Sequence, residues 1–131
     1  MRMVWYVLAG SAVGGGARYL LSTYVQTRSG ATFPIGTLVV NILGSVIIGF
    51  VLRYAIDSSA VTPEIRALLT TGFCGGFTTF STFSYESVRL LQEGDYHRAA
   101  WYVALSLIMC LTATFLGFGL ASEVLAIRRR L

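Results

Sequence analysis

Residues 29–52, 67–85 and 99–122 contain no Asp, Glu, Lys or Arg. Each stretch is close to the ~20 residues that a helix needs to cross a ~30 Å hydrocarbon core. A fourth apolar stretch, Met3 to Val25, is interrupted only by Arg18, a side chain that either snorkels to an interface or faces the protein interior. The pattern predicts four membrane-spanning helices. The connectors, residues 26–33, 57–64 and 92–98, are too short for a soluble domain, so one transmembrane domain is expected over residues 1–131. "TPE" before "IRALL" reads as a helix start, with Thr62 as N-cap, Pro63 at the first helical position and Glu64 in the first turn. The N-terminal stretch imitates a signal peptide, but its apolar pattern continues through "RYLLSTYV" and fits a retained helix better.

Composition agrees, since 55% of residues are hydrophobic and 12% charged, far from an ordinary soluble domain. All ten basic residues are arginines. Four spans put both termini on one side, with Arg2, Arg53, Arg66 and the terminal Arg128, Arg129 and Arg130. The other side holds Arg28, Arg89 and Arg98, with Arg18 assigned to it. Without the terminal triplet the balance is three against four, so the positive-inside rule scarcely selects an orientation and insertion both ways is compatible with it. The triplet itself reads as an anchor to lipid headgroups.

Small residues indicate how the helices associate. Gly10 and Gly14 are four apart, and Gly36, Gly44, Gly49, Gly117 and Gly119 add flat surfaces for close backbone approach. Cys74 and Cys110 fall inside predicted spans and read as small packing residues. Four helices packed tightly leave little room for an internal aqueous path, so a transport function requires at least a dimer.

Enzyme chemistry has no visible apparatus. The single histidine, His97, lies in a loop, and no span pairs acids or shows metal-ligand spacing. Scattered interfacial arginines give no nucleic-acid footprint. A proton-coupled exporter needs an ionisable group within the membrane, whereas Glu86 and Glu123 lie near span ends.

The third span is the informative one. Gly75 and Gly76 weaken its helix near the middle, and Thr78 and Thr79 add β-branched residues with competing hydroxyls. A mid-membrane break is expected; it would free carbonyls for a cation and present amide N–H groups of the following half-helix to an anion. Phe80 and Phe83 share a face, with the hydroxyls of Ser81, Thr82 and Ser84 beside them. Aromatic rings have positive edges, so the pair could accompany a small anion without a fixed charge. In span two, Asn41 is either glue between helices or a donor to an anion. Tyr102, Ser106 and Cys110 recur every four residues in span four and form a polar stripe.

These motifs together resemble the Fluc-type fluoride channels, also called the CrcB family, over essentially the full length. "GFCGGFTTFSTF" at 72–83 fits the family signature GxxGGxTTFSTF throughout. "GTLVVNILGSVIIG" at 36–49 fits the second-span motif, with Val46 where a phenylalanine is usual. "GSAVGGGARY" at 10–19 is a looser match that keeps Gly10, Gly14, Arg18 and Tyr19. The resemblance implies an all-α, antiparallel, dual-topology homodimer in the bacterial inner membrane, with two fluoride pores and a structural sodium ion on the two-fold axis. It also implies site roles. Backbone carbonyls of Gly75 and Thr78 would hold the sodium, while Phe80 and Phe83 line the pores and Asn41 donates into them. Ser81 and Thr82 would support the polar path, and Tyr102 and Ser106 would belong to a polar track in span four. Cys110 stands where that track tends to carry a hydroxyl, and Arg18 and Glu86 receive no fixed role. The implied transport is passive export of fluoride. Two competing readings are a small multidrug-type proton-coupled exporter, which relies on an acid in its first span where this chain has none, and a non-transporting accessory subunit.

Overall fold

A computed structural model describes residues 1–130, and within them every regular element is helical. In chain order these are α1 (Arg2–Ser29), α2 (Ile35–Asp57), α3 (Pro63–Ala67), a π-helical stretch (Leu68–Cys74), α4 (Gly75–Phe77), α5 (Phe80–Gln92) and α6 (Tyr96–Arg130). Two of them, α2 and α6, are each long and apolar enough to cross a membrane. In α1 the length is sufficient, but glycines, hydroxyls and Arg18 dilute the apolar character. The path from Pro63 to Gln92 is divided among shorter pieces.

Local chemistry explains most of the boundaries. Helix α1 stops where Gly30 adopts a left-handed conformation at φ 59°. Pro34 offers no side chain to cap α2, and Gln26 substitutes from the preceding helix. Its Oε1 accepts from the Gly36 N–H at 3.0 Å, and its Nε2 donates to the Ala31 and Phe33 carbonyls. The cap predicted at Thr62 is present, with its hydroxyl accepting from Ile65 N–H at 3.3 Å ahead of Pro63. Gly94, at φ 77°, makes the turn between α5 and α6.

Packing rests on backbone-to-backbone contact more than on large side chains. A Cβ on Gly10 would strike the Leu68 carbonyl, and one on Gly14 the Phe73 carbonyl. From the other side of the same crossing, Gly72 meets the Val7 carbonyl and Gly76 the Ser11 carbonyl, leaving α1 and the Leu68–Phe77 segment almost touching. The extensive α2–α6 contact is built the same way: Gly49 lies on the Thr114 carbonyl and Gly117 on the Val46 carbonyl. Gly36 abuts Ser22 and Gly44 abuts the Thr78 side chain. Gly119 departs from the packing expectation, because the space beside it is open.

A small core of Leu38, Leu90, Ala99 and Tyr102 gathers at the end of the bundle where α5 meets α6. Outside it the apolar distribution is inverted relative to a soluble domain. Trp5, Tyr19, Phe80 and Phe115 are between 69% and 76% exposed, and exposed apolar surface on this scale belongs against lipid or another protein. Charged contacts lie at both ends: Arg89 pairs with Glu93 and Arg98 with Asp95 beside this core, and a second set gathers at the opposite end. Arg53 pairs with Asp57 at 2.8 Å, and Arg128 donates to the Tyr54 and Ser58 hydroxyls. Two of the three terminal arginines therefore turn back toward α2, since Arg129 also approaches Asp57, at 4.0 Å.

Candidate functional site

Between Phe77 and Phe80 the backbone leaves helical geometry. Thr78 has φ −91°, ψ 160° and Thr79 has φ −151°, ψ 117°, both extended, whereas Gly75 keeps φ −62°, ψ −37°. The glycines expected to loosen the segment are thus helical, and the departure comes at the threonines after them.

An interruption strands backbone groups that must find partners if they are buried. Asn41 of α2 supplies them. Its Oδ1 accepts from the Thr79 N–H at 2.8 Å and its Nδ2 donates to the Thr79 carbonyl at 3.1 Å, a reciprocal amide-to-backbone clasp. Thr79 N–H would have bonded the Gly75 carbonyl had the helix continued, so the clasp leaves that carbonyl without its i+4 partner. The Thr79 hydroxyl caps α5 by accepting from Thr82 N–H at 3.2 Å. The same oxygen lies 3.2 Å from Ser81 Oγ and donates to Thr82 Oγ1 at 3.0 Å. Arg18 reaches the preceding carbonyl, with Nη1 donating to Thr78 O at 3.3 Å.

Around this interruption the fold opens a groove of about 330 Å3, lined by Asn41 and Ser45 of α2, Thr78 and Thr79, Phe80 and Phe83 of α5, and Ser106, Cys110 and Thr114 of α6. Phe80 and Phe83 stand as neighbours with ring centroids 5.5 Å apart and planes tilted by 46°. Ser106 Oγ is buried and has no hydrogen-bond partner within the described residues. Hydroxyl-bearing residues and aromatic rings thus share the walls of a space that the chain itself does not fill.

The structure brings together Asn41, Thr78, Phe80, Phe83 and Ser106 among the residues singled out from sequence. Thr82 faces another cavity, about 230 Å3, shared with Arg18, Ser22 and Thr37. Ser81 is exposed and Gly75 lies off both surfaces. Tyr102 is fully buried behind the groove, 5.3 Å from the Phe83 ring and edge-on to Phe33 at 5.5 Å.

Glu86 gains a place that the sequence left open. Its two carboxylate oxygens accept from Tyr102 Oη at 2.6 Å and from Thr37 Oγ1 at 3.0 Å. It fixes α2, α5 and α6 to one another beneath Phe83. The partners are 49 and 16 residues away in the chain, and the one signal available in the sequence was a lone carboxylate near the end of an apolar run.

Comparison with known proteins gives a single answer. Residues 5–118 match the family model described as CrcB-like protein, Camphor Resistance (CrcB). A protein of Aquifex aeolicus named fluoride-specific ion channel FluC is 45% identical over 124 residues, covering 95% of this chain and 100% of the relative. One of the same name from Chlorobaculum tepidum is 48% identical over 121 residues, covering 92% and 95%. A third, from Geobacter metallireducens, is 46% identical over 106 residues, covering 81% and 86%.

Proposed function

The chain belongs to the CrcB family, and from that membership and the groove we propose that it is a fluoride-specific ion channel. It is a membrane protein and not an enzyme. Its task is passive: hydrogen fluoride crosses membranes as a neutral acid and dissociates inside, and a channel lets the membrane potential expel the anion. A potential of ~100 mV is worth ~2.3 kcal/mol per elementary charge, so no energy-coupling site is required.

The observation that carries the reading is the meeting of Asn41, Phe80, Phe83 and Ser106 in one groove at a helix interruption. In our proposal all four helical segments cross the bacterial inner membrane, with the interruption at membrane depth. Fluoride passes along the groove, accepting from the second Nδ2 hydrogen of Asn41 and from Ser106 while the edges of Phe80 and Phe83 supply a polarised, uncharged wall. Ser81 and Thr82 extend the polar surface toward Arg18 and Thr37. Tyr102 acts from behind, through its contacts with Phe83 and Glu86.

We further propose an antiparallel, dual-topology homodimer surrounded by membrane lipids. In support, Phe80 is 76% exposed in the single chain, and open space adjoins Gly15 and Gly16. A second copy would cover these and close two grooves. A sodium ion on the axis would be held by the Gly75 and Thr78 carbonyls of both copies and would neutralise their converging dipoles. The residues suit it. No His, Cys, Asp or Glu cluster is present to take a metal among the described residues, the Gly75 carbonyl lacks its helical partner, and nothing crowds the Gly75 face. Thr78 O already accepts from Arg18 and would share its second lone pair.

The test is efflux from liposomes containing the purified protein, followed with a fluoride electrode under an imposed potential. Fluoride leaves and chloride stays if the reading holds; absent fluoride flux from folded protein, or equal chloride flux, refutes it. Crosslinks that form only between parallel copies would refute the topology.

A further inference from the structure

Of the two free cysteines, Cys74 is about 1% exposed and packed between helices, whereas Cys110 is partly exposed and lines the groove opposite Phe80 and Phe83. One turn before it on the same face of α6 is Ser106, whose residue is 7% exposed and whose hydroxyl has no partner in the described chain. An unsatisfied buried hydroxyl costs free energy, so this wall of the groove carries a polar group that the described chain leaves unpaired. The neighbouring hydroxyls are committed elsewhere. Ser45 donates to the Asn41 carbonyl at 2.7 Å and Thr114 to the Cys110 carbonyl at 3.0 Å. Cys110 therefore contributes the one soft ligand atom, with the Ser45 hydroxyl beside it, to a cavity otherwise lined by oxygen and nitrogen donors and apolar carbon.

We infer that Cys110 is a capture site for neutral, thiophilic metal species, and that such capture blocks the groove. Soft thiolate ligands select soft metals over the hard cations that hydroxyls and carbonyls favour. With mercuric chloride the step balances simply: the Cys110 sulfur bonds to mercury, one chloride leaves, and the thiol proton is released to solvent. No electrons are transferred and no further reagent is needed. The reagent is uncharged and dissolves in hydrocarbon, so neither the bilayer nor an anion-selective path excludes it. The resulting sulfur–mercury–chloride arm projects from α6 into a space of about 330 Å3 that also holds Asn41, Phe80 and Ser106, occupying the route assigned to fluoride.

This inference rests on the channel reading, and the experiment separates the two. Fluoride efflux is measured from liposomes of the parent protein and of Cys110→Ser, Cys110→Ala and Cys74→Ser, each with and without stoichiometric mercuric chloride and normalised to its own untreated rate. Intact-protein mass spectrometry locates the adduct. The parent and Cys74→Ser should lose at least tenfold in flux and recover it on adding excess dithiothreitol. The two Cys110 variants should change less than twofold. No flux from any untreated protein would sink the channel reading itself. Healthy untreated flux with no adduct at Cys110, with an adduct there that leaves more than half the flux, or with equal sensitivity in Cys110→Ser would overturn the capture site alone.

Discussion

The two halves of the segment between Pro63 and Gln92 differ in their small residues, glycine in the first and serine in the second, and are put to opposite uses. The first half, to Phe77, lies backbone to backbone against α1, with Gly72 and Gly76 of the segment meeting Val7 and Ser11 and with Gly10 and Gly14 answering from α1. The second half, from Phe80, turns the Phe80 and Phe83 rings toward a groove, and Phe80 is mostly uncovered. Between them lie two extended threonines, of which Thr79 is clasped by Asn41. The lesson is that a single irregular stretch contains a rigid footing and the surface that we propose conducts. Glycine marks the footing, and the Phe80–Phe83 pair marks the surface.

This contrast can be broken most severely at the footing. Gly76→Val drives a branched side chain into the Ser11 carbonyl, which a Cβ alone would already approach to 2.6 Å. Overpacking of this kind costs ~1–3 kcal/mol or more, and with backbone on both sides there is no soft neighbour to yield. Loss of a monodisperse species on size exclusion is expected. Gly119→Ala, where the space is open, should elute as the parent does.

The clasp is next. Asn41→Leu strands the Thr79 N–H and carbonyl together, at ~1–3 kcal/mol for each unsatisfied group. Thermal unfolding in detergent should fall clearly below the parent, with fluoride flux reduced as well. An unshifted transition would mean that the interruption does not depend on its amide partner.

Glu86→Leu removes the acceptor of two hydroxyls, Thr37 and Tyr102. A loss of ~1–3 kcal/mol is expected, with Glu86→Gln milder because the amide oxygen still accepts. Comparing the melting transitions of the two variants checks it, and equal melting for Leu and Gln would contradict the role given to this carboxylate.

The smallest expected effect is at Thr62, whose hydroxyl caps α3 on an exposed surface. Thr62→Ala should cost ~1 kcal/mol or less, visible as a small shift in the same melting experiment and absent from the flux.

How much of this was legible beforehand follows from the range of each interaction. The helical segments could be read because uncharged runs and a Thr-Pro-Glu start are local signals, and the glycine crossings because small residues recur at helical spacing. The partners of Asn41 and Glu86 could not. Asn41 bonds a backbone 38 residues away and Glu86 a hydroxyl 49 residues away, and sequence showed only that each polar group needed some partner. Gly76 misleads for a related reason. Read locally it loosens a helix, but in the fold it stays helical because α1 presses on it, and Thr78 and Thr79 take the extended geometry instead. The stripe of Tyr102, Ser106 and Cys110 was correctly placed on one face of α6. Only packing shows that Phe83 separates the buried tyrosine from the two residues that reach the groove.

The central claim is that the Phe80 and Phe83 surface conducts while the glycine footing only supports it. Its most direct test is fluoride efflux from liposomes carrying the Phe80→Ile, Phe83→Ile double variant beside the parent, at matched protein and with elution and melting recorded for both. A ring-edge interaction of up to ~1.5 kcal/mol at each position predicts a fall in flux on the order of a hundredfold with the assembly intact. Undiminished fluoride flux through a folded double variant would contradict it.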